Sequence, residues 1–297
     1  MYVPPPGSTP GPMMDMRARL RPMGIGDILD QTFRLYRENF MLFVATCAVL
    51  EVPVQIINFL IRLSAPVAVP PAPGQALTPA QTSALAAGSA ASSIGALIAA
   101  FAAAIMTAAL AVAISNRYLN RSVTVGNAYR ATMNRLGPLL LAIVWAGVRF
   151  ILLGIACIVL VGIPFLIYFA VAWSLLSQVV MLENVGGGGA SGRSRELIRG
   201  YWWKTFGLLV VTWLLVTILT AIPAAVVGAI AGSGAGSSAA GLLITGIIGL
   251  IIGVLVQPIP IAAMTLLFYD LKIRKEAFDL EALVQQASPP TPTVPYQ

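Results

Sequence analysis

The chain contains no histidine and little charge: 10% of its 297 residues are Asp, Glu, Lys or Arg, against about 25% in a soluble domain. Without histidine there is no imidazole acid–base chemistry and none of the usual zinc or haem ligand sets. No glycine loop runs into Lys-Ser or Lys-Thr, which removes the nucleotide phosphate loop. The two cysteines, Cys47 and Cys157, lie inside apolar runs with no CxxC partner and read as small packing residues. Met1–Arg21 carries seven Pro or Gly residues and no apolar core of a cleavable signal, so the first span is expected to act as its own insertion signal. No catalytic residue, metal or cofactor is expected.

What fills the chain is apolar: 58% of residues are hydrophobic. A water-soluble fold needs far more polar surface, so the bilayer is the expected solvent. The formal net charge is +7, but the bases flank apolar spans and no aromatic-basic platform accompanies them. That pattern excludes nucleic acid as the partner and points to anionic lipid headgroups.

Sixteen of the eighteen Lys and Arg residues fall in four short segments. These are Arg17 to Arg37, Arg117 to Arg135, Arg193 to Lys204, and Lys272 to Lys275; the two outliers are Arg62 and Arg149. Basic residues stay on the cytoplasmic side of a membrane. The apolar runs between them suit six spans, at about 40–62, 93–115, 138–161, 163–183, 206–229 and 241–268. Gly162-Ile163-Pro164 divides the third run from the fourth. The fold class is therefore all-α: a polytopic bundle of six transmembrane helices over residues 23–284. Pro-rich tails cover 1–22 and 285–297 and are expected to be disordered. With six spans both termini are cytoplasmic, and the three outer connections carry no charge.

An amphipathic stretch precedes each odd-numbered span. The first, 25–38, sets Ile25, Ile28, Leu29 and Tyr36 against Asp27, Asp30, Arg34 and Arg37. The second, 125–135, sets Ala128 and Tyr129 against Arg130 and Arg135, and the third, 194–204, sets Leu197, Ile198 and Tyr201 against Arg199 and Lys204. Such stretches form helices along the cytoplasmic interface. Arg34, Arg37, Arg130, Arg135, Arg199 and Lys204 are the candidate lipid contacts. Thr124 and Ser194 are candidate caps of the second and third. Interfacial helix, span, turn, span then reads as one unit used three times.

Three intramembrane polar residues are candidate sites: Glu51, Arg149 and Gln257. Glu51 and Arg149 each lie eleven residues past the cytoplasmic start of a span, about 16 Å deep. A lone charge there costs at least about 2.5–3.5 kcal/mol. The expected remedy is that the two pair, as an ion pair fixing helix register or as part of a polar pathway. Gln257 precedes Pro258 and Pro260, nearer the cytoplasmic end. Gly249 and Gly253 form a GxxxG pair suited to close helix approach. Gly186–Gly189 reads as a flexible linker. Asp270, Glu276, Asp279 and Glu281 interleave with Lys272, Arg274 and Lys275, as on a solvated helix.

Gly26-Asp27-Ile28-Leu29-Asp30, continuing through Phe33-Arg34-Leu35-Tyr36-Arg37 to Asn39-Phe40, resembles the opening motif of a bacterial membrane family. Phe268 to Glu276 with Phe278-Asp279-Leu280 is similar to that family's ending, and Ser194 to Gly207 to its central motif. The family is the glycerophosphoryl diester phosphodiesterase membrane-domain family, and the resemblance covers residues 24–284. Ala277 stands where the family has glycine. The soluble domain behind the name uses histidines and acidic metal ligands, so no catalytic residue carries over. The resemblance implies a multi-pass protein of the bacterial cytoplasmic membrane with no defined biochemical role. The function expected from all this is a non-enzymatic scaffold or accessory subunit for another membrane or cytoplasmic protein. The alternative is a small transporter or channel using Glu51 and Arg149. Oligomeric state is not legible. Reporter fusions after Ala72, Gly234 and Gln297 test the topology: external signals are expected at the first two and a cytoplasmic one at the third. An external signal at Gln297 contradicts six spans.

Overall fold

The computed structural model describes residues 23–64, 76–156, 162–233 and 238–287. The N-terminal tail, Cys157 and most of the C-terminal tail lie outside the described residues. Every described element is a helix: α1 Ile25–Glu38, α2 Phe40–Ser64, α3 Pro79–Tyr118, α4 Val125–Met133, α5 Leu136–Ala156, α6 Gly162–Ala172, α7 Leu176–Leu182, α8 Gly188–Ile198, α9 Trp202–Gly232, α10 Ala239–Val256 and α11 Pro258–Ala287. Six helices or helix pairs are long and apolar enough to cross a bilayer: α2, α3, α5, α6 with α7, α9, and α10 with the first part of α11. This is the architecture of a multi-pass membrane protein.

Local sequence sets the boundaries. The Gly24 amide donates to the Asp27 carboxylate at 2.8 Å, which caps α1 and opposes its dipole. The Thr124 hydroxyl accepts from the Asn127 amide and starts α4 as the sequence suggests. Helix α3 begins fourteen residues before the expected second span. Thr78 and Gln81 form a reciprocal capping box there, with Pro79 at the first helical position, and the alanine-rich stretch beyond favours helix. At 40 residues, α3 is about 60 Å long, twice the hydrocarbon thickness.

The third amphipathic helix differs from the expected 194–204. Helix α8 spans Gly188–Ile198 and ends at Arg199, and Gly200 takes φ +90° before α9 starts at Trp202. Ser194 is not its cap: its buried hydroxyl donates to the Ala172 carbonyl at 2.8 Å, where the fourth span breaks between α6 and α7. The glycine run is close-packed rather than a free linker. A Cβ on Gly186 would sit 2.6 Å from Cβ of Pro138, and Gly187 has φ +61°. Gly188 and Gly189 form the first turn of α8.

The described parts of the four basic segments meet at one end of the bundle, here called the basic face. Its centre is Asp270, fully buried rather than solvated. Asp270 accepts from the Met23 amide at 2.6 Å, from Arg274 Nε at 3.0 Å, and from Lys204 Nζ. Lys204 and Arg274 also donate to the Met23 carbonyl. One carboxylate thus ties the start of the described chain to the fifth and sixth spans. Lys204 therefore turns into the protein and not toward lipid. Glu183 is a second node: Arg193 reaches it at 2.7 Å and Lys272 at 3.2 Å. Burial pushes the Glu183 carboxyl up, but the bonds and charges of Arg193 and Lys272 outweigh it and hold it below the usual range.

The interfacial helices repeat one packing relation. Helix α1 packs on α11, α4 on α3, and α8 on α7. Each therefore lies on the second span of the preceding unit, in cyclic order. Aromatic residues of the first two donate to span carbonyls, Tyr36 to Leu255 and Tyr129 to Thr46, and Trp202, at the start of α9, donates to Tyr168. Burial, and secondarily Cys47, raises both phenols, which keeps them donors. The Leu255 carbonyl lies in the last turn of α10, where Pro258 and Pro260 interrupt the helix ladder.

The core occupies the half of the bundle next to the basic face. Phe43, Cys47, Met106, Leu110, Leu139, Leu175, Leu208 and Phe268 are buried there. The far half exposes Ile56, Leu60, Phe101, Ile151, Ile218, Ile222 and Ile251, a lipid-facing surface that water would not tolerate. Removing the central carboxylate tests this division. Asp270→Asn is expected to destabilise the protein in detergent by about 3–5 kcal/mol, because two cations lose their partner. Adding Lys204→Met should recover part of that loss in a chemical-unfolding titration.

Candidate functional site: a polar face on the first span

Helix α2 carries Glu51, Gln55, Asn58 and Arg62 at spacings of four, three and four, which places all four on one face. The Gln55 amide donates to the Glu51 carboxylate at 3.0 Å. Opposite them stand glycines of two neighbouring helices. A Cβ on Gly253 of α10 would lie 2.7 Å from Glu51 Oε1, and one on Gly249 would lie 3.7 Å from the Gln55 amide nitrogen. A Cβ on Gly95 of α3 would collide with the Asn58 amide oxygen. The GxxxG pair therefore makes room for polar side chains as well as letting α10 approach α2.

Above Gln55 the helices part around a cavity of about 350 Å³. Gln55, Asn58, Arg62, Ser92 and Thr245 line it beside Gly95 and Gly246. The Ser92 and Thr245 hydroxyls donate to carbonyls of their own helices, which leaves their lone pairs free to accept. Asn58 makes no hydrogen bond to another described residue. Arg62 is exposed in the last turn of α2, about 16 Å along the helix from Glu51. Toward the basic face the cavity ends where Glu51 packs on Gly253, above the buried Cys47, Phe43 and Met106. The site is a pocket in the half of the bundle away from the basic face, and it offers hydrogen-bond donors and acceptors on a low-dielectric wall.

The expected pairing of Glu51 with Arg149 does not occur. Glu51 lies between α2 and α10, whereas α5, which bears Arg149, packs on α6, α7 and α8. A helical side chain leans toward the N-terminus of its helix, so the long Arg149 side chain reaches back toward the basic face. Its Nη1 donates to the Ser191 hydroxyl at 2.5 Å, and its guanidinium lies 5.7 Å from Trp145 and 5.6 Å from Trp173. Equal depth in sequence did not mean proximity, because the spans are not neighbours. Gln257 is exposed at the α10–α11 break and does not line the cavity.

Of the basic candidates, Arg34, Arg37, Arg130 and Arg199 are exposed, and Arg34 pairs loosely with Glu38 at 3.8 Å. Arg135 points inward to the Val180 carbonyl at 3.4 Å. Gln55, Asn58 and Arg62 were missed as site residues in the sequence, although their spacing from Glu51 was readable there. Comparison with family models, with curated proteins and with solved structures finds no match.

The Glu51–Gly253 contact is testable by a double-mutant cycle. Gly253→Ala is expected to cost about 1–3 kcal/mol, as overpacking does. In an Glu51→Ala background the same change should cost little, giving a clear coupling energy. Gly246→Ala, with open space at its Cβ, serves as the neutral control in the same unfolding measurement.

Proposed function

We propose that this is a non-enzymatic membrane protein that takes a small polar solute into the pocket lined by Gln55, Asn58 and Arg62, as the binding step of transport. The observation carrying the proposal is the row of polar side chains along α2 facing a cavity of about 350 Å³. Intramembrane polar residues are costly, and they mark substrate pathways when they line a cavity. A purely structural polar row would be packed shut against its neighbours. The close contact of Glu51 on Gly253, on the basic-face side of the pocket, argues for a bound solute released by helix movement and against an open channel. Glycines on both flanking helices permit such sliding.

The solute is of hydrogen-bonding character, drawn toward the Arg62 guanidinium at the mouth and the Asn58 amide within. We assign the protein to the bacterial cytoplasmic membrane with the basic face inward, on the strength of the basic-residue asymmetry. The pocket then faces outward. Membership of the phosphodiesterase membrane-domain family is part of the same proposal and rests on the motifs at 26–40, 194–207 and 268–280.

A scaffold or accessory role is the second reading. It is favoured by the exposed Arg34, Arg37, Arg130 and Arg199, with Trp203 77% exposed beside them. Thermal unfolding against a panel of small polar solutes separates the two. Binding is expected to raise the midpoint of the wild-type protein and to leave Gln55→Leu/Asn58→Leu unmoved. A panel that shifts neither, together with a partner protein that copurifies from native membranes, supports the scaffold.

A further inference from the structure

Arg149 and Arg195 are the two cations of a second, separate feature. Both lie against aromatic rings: Arg149 against Trp145 and Trp173, and Arg195 within 5.9 Å of Tyr168 and Phe169. Neither has a carboxylate partner among the described residues. The Ser191 hydroxyl, which accepts from Arg149, donates its own hydrogen bond to the Gly188 carbonyl. Two guanidiniums are thus held by a neutral hydroxyl and by π faces, with their charge uncompensated. Arginine is well suited to this arrangement, because its planar fork stacks on rings while its remaining N–H groups stay free for an oxyanion.

The surroundings fit an amphiphile. A surface groove of about 510 Å³ runs from Arg149 and Arg195 along Leu152 and Leu153. A second recess of about 450 Å³ runs from Arg195 along Phe165 and Pro164. Phe169 and Arg195 border both, as a ridge between them. On α5, Leu152 and Leu153 come after Arg149, farther from the basic face. On α6, Phe165 comes before Phe169, again farther from that face. Both apolar walls therefore lead from the guanidiniums away from the basic face. That is the polarity of a phospholipid, with its phosphate at the end of the grooves nearer the basic face and its two chains directed away from that face. Gly188 and Gly192 floor the groove, and a Cβ on either would meet nothing within 4 Å.

We propose that Arg149 and Arg195 bind the phosphate of one anionic phospholipid, whose acyl chains straddle Phe169 in the two grooves, with Ser191 holding Arg149 in place. The site differs from diffuse attraction of headgroups to the exposed bases, because it has a defined phosphate position and two apolar channels. It is independent of the solute pocket on α2.

The test uses the full chain in nanodiscs of zwitterionic phosphatidylcholine, with and without added phosphatidylglycerol. Native mass spectrometry counts retained lipid and thermal unfolding reads the shift. Wild-type protein is expected to keep one phosphatidylglycerol and to gain several degrees from it. Arg195→Gln should weaken binding about tenfold, as for a lost charged hydrogen bond. Gly192→Leu should fill the groove and do the same without touching a charge. Both should unfold like wild type in phosphatidylcholine alone, which shows that they fold. Inorganic phosphate at millimolar concentration should neither stabilise the protein nor displace the lipid. The proposal is overturned if inorganic phosphate competes, if Gly192→Leu binds as wild type, or if Arg34→Gln and Arg130→Gln abolish retention while Arg195→Gln does not.

Discussion

Hydrocarbon contains no water to receive a stray hydrogen bond, and this constraint organises the molecule. A polar group left alone in the bilayer core costs several kcal/mol, so each must find its partner inside the protein. Where the fourth span breaks, Ser194 answers the Ala172 carbonyl. Where prolines interrupt the sixth, Tyr36 answers Leu255. In both places the donor comes from an interfacial helix of the next unit in the cyclic order. The amphipathic helices are therefore part of the packing of the spans, and not only anchors at the membrane surface. Asp270 extends the same logic to charge, gathering two cations and a backbone amide around one buried carboxylate.

These bonds concentrate next to the basic face and leave the two halves of the bundle unlike. The basic half is packed with large side chains and closed by ion pairs. The far half holds small residues on α3 and α10, exposes its apolar side chains, and admits the polar row of α2. The groove at Arg149 uses the boundary between the halves, where charge and hydrocarbon meet.

Much of this was legible in the sequence. Base spacing and hydropathy gave the six apolar helices, and 3.6-residue periodicity gave α1 and α4 almost to the residue. The misses share a physical cause. Depth along a span is readable from sequence, but neighbour identity is not, so Glu51 was assigned to Arg149 when α10 stands beside it. Asp270 looked solvated because charged residues surround it in sequence, yet Arg274 and the distant Lys204 fold inward to bind it. The glycines at 186–189 looked flexible because composition does not register the close approach of Pro138. The polar row is readable in the sequence: Glu51, Gln55, Asn58 and Arg62 share one helical face.

The central claim is that water and small solutes reach the polar face of α2 from the far side. Single cysteines along α2, in a chain lacking Cys47 and Cys157, measure this directly with a charged, membrane-impermeant thiol reagent added to that side. Positions 58 and 62 should react fastest and 55 more slowly, while 56, 57 and 60, on the lipid-facing side, stay unreacted. Uniform reactivity around the helix, or none at 55 and 58, would contradict the account.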